Sequence, residues 1–457
     1  MSDGVTARAV ISSVTDGFTE HTPPWRPIPP DGPLSWEGYD ASRARAAART
    51  GEEESVVYGV GSLGGRAFVV LAFEFGFLGG SLGERTGDRL EAAYRLARER
   101  RVPLVSLVAT GGSRMQEGMV ALTQLQRVAR ASVLLREAGV AHIAVLRDPT
   151  TGGGWATVGA GADVILALPG AQVGFAGSRV RPPDADPAAY TAEGQLAAGH
   201  VDAVVPADGL RGTLARWLAA LGGPRPAPEP APPPEARAPA APSAAGPSAA
   251  GPAPASLPES GWEAVRRARD PRRPRARAYL DAYFADRLPL SGDRCGGTDP
   301  GLLCGIGVRD GRAIAYVAQC GTATRPAGYR TAARVIRLAD RLGLPVLTLV
   351  DTPGAANDAE AERAGAGAAI AEAFAAVASA RVPVTTLLIG EGGSGGALAL
   401  AAPDNTWATP DGYFSVIAPE LAAAILKRPR DQAPRTAEQL RLRPQDLVEL
   451  GVVRGIV

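Results

Sequence analysis

Two glycine-rich segments carry the groups best suited to chemistry. Thr110-Gly-Gly-Ser-Arg-Met-Gln-Glu117 places Gly111 and Gly112 just beyond the apolar run Pro103–Val108 and just before a helical spacing of Met115, Met119, Leu122, Leu125 and Val128. Consecutive glycines let two backbone N–H groups converge on one oxygen, and a helix start adds positive potential there. Such a pair suits an oxyanion such as a thioester enolate, where a single donor is worth about 2.7–4 kcal/mol. The competing reading of this segment is a structural tight turn. The second segment, Gly390-Glu-Gly-Gly-Ser-Gly-Gly-Ala-Leu398, follows the apolar run Pro383–Ile389 and offers the N–H groups of Gly396 and Ala397 at the next helix start. It also matches G-x-G-x-x-G through Gly390, Gly392 and Gly395. A dinucleotide site wants an acidic residue at the end of the following strand. Asp404 and Asp411 sit in turn-like contexts instead, which weighs against that reading.

Side-chain chemistry is sparser. Glu117, Glu362 and Glu391 are the carboxylates nearest these turns. A hydratase would need one or two of them as acid and base, but each reads first as a helix-start or turn residue. His142 precedes a strand and His200 sits in a Gly-His-Val-Asp segment, both structural in character, and no Ser-His-Asp set emerges. Cys295, Cys304 and Cys320 have no paired C-x-x-C spacing, so reduced thiols are expected and no metal site. The net charge of +1 leaves no electrostatic footprint for nucleic acid or an acidic membrane surface. The N-terminus has no secretory pattern, and no apolar run approaches the roughly 20 residues of a membrane span. A cytoplasmic protein is the expectation.

The chain reads as one half written twice. Tyr58–Ala67 aligns with Cys304–Ala313, Arg101–Gly112 with Gly343–Gly354, Thr151–Ala156 with Gly393–Leu398, and Leu168-Pro-Gly with Thr409-Pro-Asp. The four pairs are all roughly 240 residues apart, a period of duplicated domains and not of a solenoid. At 457 residues and 46% hydrophobic content the chain can bury two cores. Residues 1–30 are polar and read as a flexible arm, 31–222 as the first domain and 259–457 as the second. Residues 223–258 hold 13 of the 40 prolines and read as an extended linker. Within each half, Ala67–Phe75, Pro103–Val108, His142–Leu146 and their counterparts Ala313–Gln319, Pro345–Val350 and Pro383–Ile389 are strand-like. The run Ala364–Ala378 is helical. Repeated strand–glycine turn–helix units predict an α/β fold with ligands at the strand C-termini. The halves differ at one decisive place: Pro353 stands where the first half has Gly111, and proline has no N–H to donate.

At this point the sequence resembles the carboxyltransferase component of acetyl-CoA and acyl-CoA carboxylases. The first domain resembles the β subunit of the two-subunit bacterial enzyme through Ala72–Gly83, Thr110–Gly118, Val145–Gly153 and Val173–Val180. The second resembles the α subunit through Val350–Ala355, Ile389–Leu398 and Phe414–Glu420. The resemblance implies two tandem crotonase-like (ClpP/crotonase) ββα-superhelix domains with the active site between a first-type and a second-type domain. It implies transfer of CO2 from carboxybiotin on a separate carrier to the α-carbon of an acyl thioester. By that analogy Gly111 and Gly112 hold the thioester enolate, and Gly396 and Ala397 hold the biotin ureido oxygen. No side-chain base is then required, because the ureido nitrogen left after CO2 loss takes the α-proton. Gly79, Gly80, Arg114, Gly152, Gly153, Phe175, Gly177, Gly354, Gly393 and Gly395 are the expected substrate contacts.

The chain departs from the family pattern in places. The β subunit's four-cysteine zinc ribbon is missing, since residues 1–50 contain no cysteine. The α-type continuation after Gly354 reads Ala355-Ala-Asn-Asp, and the Cys320–Tyr329 segment is short. With neither an ATP-grasp segment nor a biotinylation motif, full carboxylation needs a biotin carboxylase and a biotin carboxyl carrier protein as partners. The acyl group arrives as acyl-CoA or on an acyl carrier protein, and a homo-oligomer, dimer or larger, is expected. The alternatives are a biotin-independent malonyl-CoA or malonyl-carrier-protein decarboxylase on the same scaffold, and a non-catalytic scaffold homologue.

Overall fold

The computed structural model describes residues 5–22, 26–222, 227–235 and 256–457. The chain divides into two compact units, Met1–Arg225 with Arg294–Gly296, and Pro226–Asp293 with Gly297–Val457.

In the first unit the elements run α1 (Ala7–Val14), β1 (Gly17–Glu20), α2 (Tyr39–Thr50), β2 (Val56–Leu63), β3 (Arg66–Phe73), α3 (Glu84–Arg100) and β4 (Leu104–Thr110). They continue with α4 (Gly118–Glu137), β5 (His142–Thr151), α5 (Gly152–Gly154), β6 (Val164–Ala167), β7 (Val173–Gly174), α6 (Ala192–Ala197), β8 (Ala203–Val204) and α7 (Ala207–Leu221). The sheet order is β1-β2-β3-β4-β5-β6-β8, with β7 pairing β5. β1, β2 and β3 pair antiparallel, and from β3 onward the pairs are parallel. Gly64 and Gly65, both at positive φ, make the tight β2–β3 turn that matches strand twist. Every residue of β4 is buried, as a central parallel strand covered on both faces requires. α3 packs over the sheet through Leu90, Ala93, Tyr94 and Ala97, and its chain reverses at Arg101 in the left-handed region.

The second unit repeats this plan. Its elements are α8 (Gly261–Arg269), α9 (Ala276–Tyr283), β9 (Asp286–Leu290), β10 (Leu302–Arg309), β11 (Arg312–Gln319), α10 (Pro326–Leu342) and β12 (Val346–Thr352). Then come α11 (Ala359–Arg363), α12 (Ala366–Ser379), β13 (Val384–Gly393), α13 (Ser394–Leu398), β14 (Thr406–Ala408), β15 (Tyr413–Ser415), α14 (Pro419–Ile425), α15 (Ala433–Gln439), α16 (Pro444–Glu449) and β16 (Gly455–Ile456). The order β9-β10-β11-β12-β13-β14-β16, with β15 on β13, reproduces the first sheet strand for strand. Asp310 and Gly311 at positive φ replace the Gly64–Gly65 turn, and Gly343 ends α10 where Arg101 ends α3. Both sheets carry a register shift at the same place, between Val108 and Thr110 and between Val350 and Thr352. That shift turns each central strand outward into its glycine segment.

Two expectations change. The segment expected as a flexible arm holds α1 and β1: Val10, Ile11 and Val14 recur at helical spacing and are buried, and β1 pairs with β2. The Ala7 N–H donates to Glu74 at 2.8 Å, fixing the start of α1. Of the stretch expected as a linker, residues 223–226 and 236–255 lie outside the described residues. Residues 227–235 lie along the second unit, where Thr385 and Tyr283 hydroxyls donate to the carbonyls of Ala231 and Pro232.

Candidate active site

The first glycine turn is stitched closed. β4 ends at Thr110, whose Oγ1 accepts the Gly112 N–H at 3.1 Å, while the Gly111 N–H donates to the Gly79 carbonyl at 2.9 Å. The Gly112 carbonyl in turn accepts from Leu82, and Arg114 N–H donates to the Leu82 carbonyl. Gly80 has φ +60°, and a Cβ there would lie 2.2 Å from the Ala109 carbonyl oxygen, so only glycine fits. The expected role of Gly111 and Gly112 is corrected on this geometry: both N–H groups serve the turn itself and are not free donors.

The free donors stand one strand over. Gly152 has φ +64°, and its own N–H donates to the Phe175 carbonyl at 3.0 Å. A Cβ on Gly152 would come within 2.9 Å of the Gly112 Cα, so the two glycine segments touch backbone to backbone. Gly153 and Gly154 occupy the first turn of α5, where N–H groups precede any carbonyl of their own helix. Neither donates a backbone hydrogen bond outside its own helix among the described residues. Gly111–Gly112 therefore act as the floor against which this donor pair is seated. Gly154 escaped the sequence reading, although the run Gly152–Gly154 is the visible signal for it. Phe175 is 73% exposed beside this turn, and Gly177 faces Thr151.

Arg114 is a second correction. Its side chain is fully buried and paired to Glu54 and Glu117, and it donates to the Ser81 carbonyl at 2.7 Å. Tyr39 completes the cluster through its hydroxyl on Glu117. Arg114 has no access to a ligand; it ties the Leu78–Leu82 loop to the glycine turn. Arg114 holds the Glu54 carboxyl down at about 2, although burial, the largest single influence, pushes it the other way.

The second unit has the same frame with different contents. Thr352 Oγ1 accepts the Gly354 N–H at 3.1 Å, as Thr110 does for Gly112, and Pro353 fills the place of Gly111. Gly354 has φ +140°, and its carbonyl accepts from the Thr324 N–H. Gly393 and Gly396 are pressed against this turn: a Cβ on either would lie 2.0 Å from the Pro353 carbonyl oxygen or 2.4 Å from the Ala355 nitrogen. Gly395 instead faces open space. Gly395 and Gly396 are the first-turn donors of α13, whereas Ala397 is its fourth residue, the first whose N–H is placed to meet the cap carbonyl of Gly393. Asp351 is buried below, between Arg273 and Arg275, and accepts the Glu391 N–H.

The other candidates are structural in place. Glu117 belongs to the Arg114 cluster, Glu391 is held by Arg269 and by the Tyr413 hydroxyl at 2.7 Å, and Glu362 lies in the first turn of α11. All three cysteines are free thiols, and burial pushes Cys320 up to about 11. Among the described residues no group of three or more His, Cys, Asp or Glu is placed to hold a metal, and no helix is long and apolar enough to cross a membrane.

Comparison with known proteins covers both halves. Residues 33–205 match the carboxyl transferase domain model, and residues 259–457 match the acetyl co-enzyme A carboxylase carboxyltransferase-like model. The acetyl-coenzyme A carboxylase carboxyl transferase subunits beta/alpha of Saccharopolyspora erythraea are 40% identical over 435 residues, covering 92% of this chain and 74% of that one. The same-named protein of Salinispora arenicola is 42% identical over 436 residues, covering 90% and 74%. A probable biotin-dependent acyl-coenzyme A carboxylase beta3 subunit of Mycobacterium tuberculosis is 35% identical over 432 residues, covering 92% and 83%. Among solved structures, transcarboxylase 12S superposes with a TM-score of 0.78 at 22% identity, over 99% of this chain and 86% of that one. The fold is accordingly two tandem crotonase-like domains, as expected. With two family models laid end to end along it and close relatives spanning both, the chain belongs to the acetyl-coenzyme A carboxylase carboxyl transferase family.

Proposed function

We propose that this chain is the carboxyltransferase component of a biotin-dependent acyl-CoA carboxylase, moving a carboxyl group between carboxybiotin on a separate carrier and the α-carbon of a short, acetyl-type acyl thioester. The observation that carries this reading is the doubled strand–glycine turn–helix frame, each copy ending in first-turn N–H groups with no intrahelical partner. It occurs in a chain whose relatives are named for both subunit types. Gly153 and Gly154 are assigned to the thioester oxygen. As charge develops there, fixed donors stabilise it without reorganisation.

Gly395 and Gly396 are assigned to the biotin ureido oxygen, and the residues present fit that group. Its acceptor is neutral, the donors are uncharged N–H groups, and Gly395 leaves the approach open while Gly396 is backed by Ala355. Carboxybiotin, when bound, would supply the activated carboxyl group. The chain's own work is to seat the two donor pairs, and the neighbouring carboxylates Glu117 and Glu391 are already engaged by Arg114, Arg269 and Tyr413. The reading brings with it a biotin carboxylase, a biotin carboxyl carrier protein, a homo-oligomeric state and a cytoplasmic location.

The test incubates the purified chain with malonyl-CoA, with and without D-biotin, and follows acetyl-CoA. Biotin-dependent formation is expected. Formation at the same rate without biotin makes the chain a decarboxylase, and binding without turnover makes it a scaffold.

A further inference from the structure

The carbonyl of Gly396 is set apart from the rest of α13. In a regular helix it would accept from the Leu400 N–H. Leu400 instead donates to Ala397, and Ala401 to Leu398, because α13 tightens and stops at Leu398. Two buried side chains take the vacated place. The Tyr329 hydroxyl, on α10, donates to the Gly396 carbonyl at 2.9 Å, and the Gln319 Nε2, at the end of β11, donates at 3.3 Å.

Both side chains are themselves fixed. Tyr329 is 1% exposed, and burial holds its phenol well above the ordinary range, so it remains a donor at any working pH. Gln319 is fully buried; its Nε2 also donates to Thr324 Oγ1 at 3.0 Å, while its Oε1 has no partner among the described residues. Leaving a buried amide oxygen unpaired costs stability, a cost set against the two hydrogen bonds that its Nε2 makes. Thr324 closes the arrangement, since its N–H donates to the Gly354 carbonyl in the turn against which Gly396 is pressed. The first unit has no counterpart: Gly87 and Phe73 stand where Tyr329 and Gln319 stand in the repeat.

We infer that Tyr329 and Gln319 are positioning residues for the second donor pair: by holding the Gly396 carbonyl they fix the Gly396–Ala397 peptide, and so seat the first turn of α13 that carries the Gly395 and Gly396 N–H groups facing the biotin ureido oxygen. This rests on the assignment of Gly395 and Gly396 made above. Neither side chain touches the ligand. Their work is done through one peptide, which a helix only five residues long cannot hold by its own hydrogen bonds.

The test is Tyr329→Phe, which removes one oxygen and keeps the ring. D-biotin binding by calorimetry, amide exchange across Gly393–Leu398, and biotin-dependent malonyl-CoA turnover are compared with the parent. The expected result is a Kd for D-biotin raised about tenfold, faster exchange in that segment, kcat lowered about tenfold and KM for malonyl-CoA within twofold. Unchanged biotin affinity and exchange overturn the inference. So does a loss of kcat accompanied by an equal rise in KM and a fall in Tm, which marks a general structural role. Should Tyr329→Phe fail to fold, Gln319→Met removes the other donor from the same carbonyl and is read by the same measurements. A parent chain that neither binds D-biotin nor uses it overturns the functional assignment as well as this one.

Discussion

At the scale of single residues, His142 separates burial from function. It lies fully buried at the head of β5, its Nε2 2.8 Å from Ser106 Oγ and its ring edge-on to Tyr94. Burial pushes the ring down to about 4 from its ordinary 6.5, with Asp163 and Arg136 as lesser, opposed influences. The folded state thus favours the neutral ring, while the unfolded chain takes up a proton near 6.5. His142 therefore contributes stability above pH 6.5 that is lost as pH falls from 6.5 toward 4, up to about 3 kcal/mol. His142→Gln keeps a polar partner for Ser106 and removes the titration. Thermal melts across pH 4–7 are expected to show a shallower decline in the variant, and parallel curves would contradict the account. The sequence indicated a structural histidine, because a histidine entering a buried strand has nowhere to meet substrate. It misplaced Arg114 for the opposite reason. An arginine two positions past a glycine pair reads as a ligand contact, and its partners Glu54 and Tyr39 are too distant in sequence to be seen.

At the scale of elements, strand existence was readable and strand ends were not. The apolar runs at Pro383–Ile389 and His142–Leu146 mark β13 and β5, but each strand continues through polar and glycine residues to Gly393 and Thr151. Pairing with β15 and β7 beyond the register shift holds those extra residues, a tertiary effect with no local pattern. The α4 spacing was correct in period but not in facing. Met115, Met119 and Leu122 are exposed, and the stripe turns inward at Leu125, packed against the core, and at the fully buried Val128. The donor positions follow from where each helix begins, and this separates two neighbouring substitutions in α13. Gly395→Val places its side chain in open space at a helical φ, so stability should hold or rise by a few tenths of a kcal/mol. Its branched side chain covers the donor face, and D-biotin affinity should fall more than about tenfold while Tm stays level. Gly396→Ala drives a Cβ to within 2.4 Å of the Ala355 nitrogen, and overpacking of this kind costs about 1–3 kcal/mol. A Gly395→Val chain that binds D-biotin normally would place the ureido site elsewhere.

At the scale of the whole molecule, duplicated spacing was the strongest signal in the sequence, and the two sheets carry it through to the same strand order and the same register shift. Composition misled in the segments outside the repeat. The polar N-terminal stretch folds as α1 and β1 because a few well-spaced apolar residues suffice to seat a helix. Residues 227–235 are proline-rich yet lie on the second unit, with Ala231 2% exposed in a cluster with Ala276, Tyr283 and Leu387. The carbonyls of Ala231 and Pro232 accept from Thr385 at 2.7 Å and Tyr283 at 2.8 Å, and Arg312 pairs with Glu229 at 3.1 Å. Extended proline-rich backbone has its φ angles restricted before folding and makes no bonds of its own, so it loses little entropy on docking and leaves its carbonyls available. Replacing residues 227–235 by a Gly/Ser stretch of equal length preserves the connection but removes the Glu229 carboxylate and the Ala231 methyl and raises the entropy lost on docking, so that the stretch no longer stays docked. It leaves the buried Thr385 hydroxyl short of an acceptor, at a cost of about 1–3 kcal/mol. Amide exchange should then quicken in β13, where Thr385 sits, and remain as before in β5, its counterpart in the first unit. Equal protection of β13 before and after the replacement would return this segment to the role of a passive tether.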